Sequence, residues 1–270
     1  MAQRLVTANA VATEAQWIGG IVPHAGWVCS GAIAGEVIGT LAQRRERAPD
    51  VVVVFGAVHT PVAIEQAVLA TFDRWLVPGG MSVVPADLSV SVRESSRLFV
   101  VDDHFHQREH AVEVELPLIR SVWPESKLLP IEVPLMSDAA QVGERTAKVV
   151  QSAGLSAVYL ASSDLTHYGP AYHFTPLGVG MDGLKWAKEN DRRLLKVITE
   201  GFDAQQVVPE VRERMNACGG GAIAAMLAAC QLSGARQAKV LRHANSYEVL
   251  CGMHPQRPDN AVGYAAVVVG

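Results

Sequence analysis

Apolar residues along the chain follow two patterns that predict alternating strands and helices. Short runs rich in β-branched residues predict buried strands, and they cover residues 17–22, 51–55, 128–133, 157–161, 240–241 and 265–269. Segments with apolar residues at helical spacing predict helices over residues 30–41, 87–98, 112–119, 138–152 and 182–200, and from about 218. The short apolar runs of residues 64–84, on either side of Pro78-Gly79-Gly80, predict a hairpin or a sheet edge.

The order of these elements predicts the fold class. Strands that alternate with helices of this length favour a mainly parallel sheet with helices on both faces. The sequence contains no repeat, low-complexity tract or flexible linker. We therefore predict a single α/β domain over residues 1–270, built as a three-layer sandwich. A composition of 49% hydrophobic and 19% charged residues is sufficient for a substantial core.

Charge and cysteine content narrow the range of functions. The formal net charge is −4 and no basic run is longer than Arg44-Arg45, which argues against a nucleic-acid surface. No segment approaches the roughly 20 continuous apolar residues of a membrane span, and residues 1–6 lack the features of a signal peptide. The four cysteines form no CxxC pair, so we predict a cytoplasmic protein with reduced thiols.

Polar residues follow three of the predicted strands. His24 follows the first strand, His59 follows the second, and Asp164 and His167 follow the strand at residues 157–161. Because the carboxyl ends of parallel strands meet at one sheet edge, we expect these side chains to converge. Imidazoles there could bind a metal or transfer protons. Taken singly, each histidine could equally be a loop residue, and Asp164 could cap a helix.

Cys218 is a fourth candidate, placed just before an Ala-rich predicted helix. The amino terminus of a helix favours the thiolate, which binds metals or attacks electrophiles, so we expect a lowered thiol pKa. The alternative is a small residue packed at a helix–sheet contact. His110 has Glu109 before it and Glu113 three positions after it. We expect a carboxylate to hold its imidazole, and we expect His104 and His106 to be solvated.

Several motifs together resemble one family. They are Pro23-His24-Ala25-Gly26-Trp27 with Ser30-Gly31, Gly56-x-x-His59, Glu109-His110-x-x-Glu113-x-x-Leu116-Pro117, Ser162-Ser163-Asp164-Leu165-x-His167-Tyr168-Gly169, Cys218-Gly219 and Val262-Gly263-Tyr264-Ala265. In this order they resemble the Memo family, which includes the prokaryotic AmmeMemoRadiSam system protein B. The resemblance runs from about Ile21 to the carboxyl terminus.

The resemblance implies a fold similar to the LigB-type class III extradiol dioxygenases, with a metal pocket at one sheet edge. Those enzymes hold Fe(II) with two histidines and a carboxylate, and Memo-type proteins have a cysteine in place of the carboxylate. Carried onto this chain, the metal ligands would be His24, His59 and Cys218. His167 would be the acid/base residue, with Asp164 beside it. The residues expected to contact a ligand are Trp27, Thr60, His110 and Tyr168.

One departure from the family pattern concerns the second strand. Many members have two consecutive histidines there, whereas this chain has His59-Thr60. The first of the two histidines, the ligand, is kept, whereas the second is replaced by Thr60.

Three functions remain open from the sequence. The first is an iron-dependent redox protein that acts on an unknown small molecule, with copper or zinc as alternative metals. The second is a non-enzymatic protein whose pocket binds a peptide or another partner. The third is a hydrolase with Cys218 as nucleophile and His167 or His59 as base. The family name also suggests a radical-SAM partner protein.

Overall fold

The computed structural model describes residues 1–11, 15–43, 47–60, 64–251, 253 and 257–270. The strands are β1 (Gly19–Val22), β2 (Val51–Gly56), β3 (Ala67–Leu69), β4 (Arg74–Val77), β5 (Gly80–Val83), β6 (Phe99–Val101), β7 (Lys127–Glu132), β8 (Ala157–Ser162), β9 (His167–Tyr168), β10 (Ala238–Asn245) and β11 (Ala261–Val269). The helices are α1 (Ala2–Asn9), α2 (Gly31–Ala42), α3 (Ala86–Glu94), α4 (Asp103–His106), α5 (Leu116–Val122), α6 (Ala139–Ser152), α7 (Met181–Lys196), α8 (Ala204–Arg214), α9 (Gly220–Leu232) and α10 (Ser246–Cys251).

Within the described residues, nine strands form one sheet in the order β10-β11-β1-β8-β2-β7-β3-β6, with β9 paired to β11. The central strands β1, β8, β2 and β7 are mutually parallel. Antiparallel pairs add β11 beside β1 and β3 beside β7. The expected mixed α/β fold with a mainly parallel sheet is confirmed.

Helices cover both faces of this sheet. Side chains alternate between the two faces along each strand, so a strand that is apolar throughout has apolar side chains on both faces. Val51, Val53 and Phe55 of β2 belong to one buried cluster, which includes residues of α6, α8 and α9. Val52 and Val54 belong to the opposite cluster, which includes residues of α2 and α5. Since β2 is buried on both faces, its sequence is continuously apolar rather than alternating.

The hydrophobic pattern located most of these elements but missed several. Residues 64–84 contain both predicted alternatives, since β3 joins the main sheet while β4 and β5 form a separate hairpin. The pattern missed α8, whose sequence is largely polar and contains Pro209. It also missed the short helices α1, α4 and α10. None of the described helices is both long enough and apolar enough to cross a membrane.

The contact between α6 and α9 depends on a glycine. A methyl group at Gly143 would overlap the backbone carbonyl of Ala225, which cannot move without displacing α9. We expect Gly143→Ala to lower the free energy of unfolding by about 1–3 kcal/mol, a typical cost of overpacking, as measured by urea unfolding. Gly201→Ala is the matched control, because the nearest atom to its added methyl lies 4.0 Å away. Equal stability of the two variants would contradict this account.

Candidate metal centre

Three neighbouring parallel strands bring the candidate residues to one edge of the sheet. His24 lies two residues after β1, His59 three residues after β2, and Asp164 two residues after β8. These strands are adjacent in the order β1-β8-β2, so their carboxyl ends lie side by side. Cys218 reaches the same place through an isolated bridge between Leu165 and Ala217. The expected convergence is therefore present.

The ligand atoms of His24, His59 and Cys218 all lie within 4.8 Å of one another. His24 Nε2 is 3.3 Å from Cys218 Sγ. Bond lengths to zinc place a nitrogen and a sulfur ligand about 3.6 Å apart in tetrahedral geometry, so this pair needs little movement to share an ion. His24 is buried, Cys218 is half-buried and His59 is exposed, so the group opens toward solvent beside His59.

Hydrogen bonds fix the tautomer of His24. The Ser162 hydroxyl donates to the carbonyl oxygen of Ala111 at 2.5 Å. Its single proton is thereby used, so the 3.0 Å contact with His24 Nδ1 requires the imidazole to donate. His24 Nε2 therefore carries the lone pair and faces Cys218. Burial, with smaller contributions from neighbouring imidazoles, lowers the pKa of His24 to about 3, which keeps the ring neutral.

A buried carboxylate fixes His59 in the same way. His59 Nδ1 lies 3.0 Å from Glu109 Oε2, and the His59 backbone N–H donates to Glu109 Oε1 at 2.8 Å. Thr60 donates to Glu109 Oε1 from both its backbone N–H and its hydroxyl. Burial alone would raise the pKa of Glu109, but these hydrogen bonds outweigh it and lower the pKa to about 2. Glu109 is thus a carboxylate that leaves His59 Nε2 free to bind a metal.

The environment of Cys218 does not favour a free thiolate. Burial, together with the nearby Asp164 carboxyl, raises the pKa of the Cys218 thiol to about 12. The expectation that the helix amino terminus lowers this pKa is wrong, because α9 starts only at Gly220 and the sulfur is shielded from water. The backbone N–H of Asp164 donates to Sγ at 3.3 Å, which prepares the sulfur to carry charge when a cation replaces its proton.

Asp164 and His167 are separate parts of the site. Asp164 accepts the His24 backbone N–H at 2.9 Å, and burial raises its pKa to about 7. His167 Nδ1 donates to the carbonyl oxygen of Leu165 at 3.1 Å, so its Nε2 is free. Its ring meets that of Tyr172 edge to face, with centroids 5.0 Å apart. Among the described residues, no hydrogen bond joins Asp164 to the imidazole of His167.

His110 completes a group of three close imidazoles. Its ring stacks on His59 with centroids 4.8 Å apart and meets His24 edge to face at 5.3 Å. Burial, followed by the neighbouring His59, lowers its pKa. A carboxylate, Glu109 or Glu113, was the expected partner of the His110 ring, but Glu109 holds His59 instead, and no hydrogen bond joins Glu113 to His110 among the described residues. His110 therefore lines the open side of the group.

The other residues expected to contact a ligand have structural partners. The Trp27 indole N–H donates to the carbonyl oxygen of Val114 at 3.1 Å, which leaves its ring half-buried. Thr60 is bound to Glu109 and so acts on His59. Tyr168 is fully buried, and its hydroxyl donates its single proton to the carbonyl oxygen of Gly180 at 3.1 Å, with that of Gly178 slightly farther away at 3.3 Å. These contacts give Tyr168 a structural role, and they do not support the ligand contact predicted for it.

The sequence pattern does not indicate the roles of Ser162 and Tyr172, and it indicates Glu109 as a partner of His110 rather than of His59. His106 was expected to be solvated, as His104 is, but only 3% of its surface is exposed. The hydroxyl at the very end of β8 was the available signal for Ser162, because a polar residue ending a buried strand needs a partner.

Comparison with known proteins places the chain in a family. The sequence profile of the family described as Memo-like protein matches residues 3–268. A MEMO1 family protein of Methanosarcina barkeri is 32% identical over 264 residues, which are 95% of this chain and 88% of that protein. A MEMO1 family protein of Pyrococcus abyssi is 29% identical over 258 residues, which are 93% and 86% of the two chains. Since both comparisons span almost its full length, the chain belongs to the Memo family.

Proposed function

We propose that His24, His59 and Cys218 hold a metal ion, redox-active Fe(II) in preference to copper or zinc, and that the pocket acts on a small organic molecule. The observation that supports this most is the pair of fixed tautomers, which direct two imidazole lone pairs and one thiol to a common point. Two nitrogens and a sulfur form a donor set that suits these metals. Only three protein ligands are supplied, so coordination positions stay open as in catalytic sites.

The residues around the proposed metal would transfer protons and line the pocket. When bound, the metal supplies Lewis acidity and one-electron redox chemistry. His167, with its free Nε2 and a pKa that burial lowers, accepts or donates a proton at the substrate. The aromatic rings of His110 and Tyr172 line the open side, next to His59 and His167 respectively. The pocket is thus dioxygenase-like in its layout.

A cysteine hydrolase is the second candidate. Its base would be His24 rather than the expected His167 or His59, because the 3.3 Å between Cys218 Sγ and His24 Nε2 is also a nucleophile–base distance. The buried thiol with its raised pKa disfavours it, since reactive thiols have lowered pKa values. Such a hydrolase would lose activity on thiol alkylation and ignore chelators. A protein that only binds a peptide would keep its partner in variants that lack the metal ligands.

Metal content tests the proposal directly. We expect protein purified without oxygen to contain close to one iron per chain, and His24→Ala and Cys218→Ser to lose it, because each removes one of three ligands. Elemental analysis measures this content. His104→Ala is the control, since this exposed histidine lies outside the group. Full iron content in both ligand variants would exclude the proposed centre.

The carboxylate behind His59 should strengthen metal binding. We expect Glu109→Gln to weaken affinity about 10–100-fold, as is typical when the hydrogen-bond partner of a metal-binding histidine is removed. Thr60→Val removes one hydrogen bond to Glu109 but keeps the carboxylate, so its effect should be smaller. Competition with a chelator measures both affinities. An order of effects opposite to this one would show that Thr60, rather than Glu109, orients the ligand.

Affinity should rise with pH because binding displaces the thiol proton of Cys218. Its pKa lies near 12 in the free protein, so the thiol is protonated throughout the neutral range. One proton released per ion means about a tenfold gain in affinity per pH unit between pH 7 and 8. Titration with Zn²⁺ in that range measures the slope. Cys218→Ser should reduce it, and an equal slope in that variant would assign the released proton to another group.

A further inference from the structure

A buried carboxyl group on α7 binds the residue that precedes His167. Asp191 belongs to α7 and is 1% exposed. Its Oδ1 atom accepts the backbone N–H of Thr166 at 2.9 Å, and its Oδ2 atom lies 2.9 Å from Nε2 of His243 on β10. Asp191 therefore connects α7 and β10 to the turn that carries the proposed acid/base residue.

A glycine of β11 leaves room for this carboxyl group. A methyl group at Gly263 would overlap the carboxyl group of Asp191. The Gly263 backbone also pairs with the turn, because its N–H donates to the carbonyl oxygen of Thr166 at 3.0 Å and its carbonyl oxygen accepts the N–H of Leu165 at 2.8 Å. A side chain at position 263 would therefore displace Asp191 from the turn.

The turn formed by Leu165, Thr166 and His167 determines how the imidazole is oriented. His167 Nδ1 donates to the carbonyl oxygen of Leu165 at 3.1 Å, so the ring is held by the backbone of its own turn. The middle residue, Thr166, is bound at its N–H by Asp191, and its Oγ1 accepts Nδ2 of Asn190 at 3.2 Å. A donor at Nδ1 leaves the lone pair of the neutral ring on Nε2.

The same part of α7 holds the loop that leads to Cys218. Asn216, two residues before Cys218, is buried, and its Nδ2 donates to the backbone carbonyl oxygen of Asn190 at 3.1 Å. Nδ2 of Asn190 also donates to the carbonyl oxygen of Arg214 at 3.0 Å. Adjacent residues of one helix therefore hold both the turn of His167 and the loop of Cys218.

We propose that Asp191, packed against His243, is a positioning residue that fixes the orientation and the tautomer of the His167 imidazole. It acts through the backbone of Thr166. Because Oδ1 accepts the Thr166 N–H whether the carboxyl group is charged or neutral, this role does not depend on the protonation state of Asp191. The use of the oriented imidazole in proton transfer rests on the proposed function, whereas the orientation itself does not.

Nitrogen NMR of the full-length, metal-free protein tests the orientation, because the two ring nitrogens have different chemical shifts in each tautomer. Burial lowers the pKa of His167, so at about pH 8 its ring is neutral. We expect one Nδ1–H tautomer, assigned by the loss of its signals in His167→Gln. In Asp191→Ala the tautomers should exchange, so that the shifts of the two nitrogens move toward each other. Asp191→Asn should keep the wild-type shifts, because its amide oxygen can accept the Thr166 N–H.

Two further variants separate positioning from a loss of stability. Glu36→Ala is the matched control, because Glu36 is also buried and pairs at 2.8 Å with Arg242, the neighbour of His243 on β10. It should lower stability but leave the tautomer of His167 unchanged. If Asp191→Ala does not fold, Asp191→Leu combined with His243→Leu replaces both polar partners by apolar groups, which is less costly than leaving one of them unpaired. This double variant should show the same tautomer exchange.

A single Nδ1–H tautomer in folded Asp191→Ala, or in the folded double variant, would overturn the proposal. Tautomer exchange in Asp191→Asn would overturn it as well, because it would show that the charge matters rather than the hydrogen bond. Exchange in Glu36→Ala would assign the effect to lost stability. If the wild-type protein binds neither iron nor Zn²⁺, the proposed function fails, and the NMR result still decides the role of Asp191.

Discussion

Asp164 joins the segments that form the candidate centre. Its carboxyl accepts the backbone N–H of His24, its own N–H donates to Cys218 Sγ, and its carbonyl accepts the backbone N–H of Cys218. Asp164 therefore links the loop that follows β1 to the loop that precedes α9. Because these loops are far apart in sequence, their relative position depends on the parallel pairing of β1 with β8. The arrangement of the candidate ligand atoms is thus a consequence of the sheet order.

The parts of the fold and site that the sequence could predict are those indicated by the residues of one short segment. The continuous apolar run of β2 is sufficient to identify a strand buried on both faces, since few other elements have it. The positions of His24 and His59 after such strands then follow from the rule that parallel strand ends converge. Cys218 needed the family resemblance, because a cysteine before an Ala-rich helix is equally consistent with packing.

The parts that could not be predicted depend on contacts between distant residues. Glu109 adjoins His110 in sequence, yet it binds His59, which lies 50 residues away. His106 has polar neighbours along the chain, but it packs against Trp75 of the β4–β5 hairpin, which no local pattern indicates. Tyr168 stands next to His167 and points to the other side, into a small cluster with Leu184 and Ala187. Strand alternation explains this last case, because neighbouring residues of β9 face opposite ways.

The balance of buried charge explains why a cysteine suits the third ligand position. Burial raises the pKa values of Glu115 and Glu132, which disfavours charge on either carboxyl group, whereas hydrogen bonds lower the pKa of Glu109 to about 2 and favour its carboxylate. A divalent cation would add two positive charges and displace the proton of Cys218, so that thiolate and Glu109 together offset it. Uncompensated charge in a buried site is costly, so a divalent cation would be favoured by the two negative charges of the Cys218 thiolate and Glu109. A carboxyl group in place of Cys218 would lie beside Asp164, whose pKa burial already raises, and ionisation of both would be opposed by like-charge repulsion. The protonated thiol would carry no charge until a metal replaced its proton.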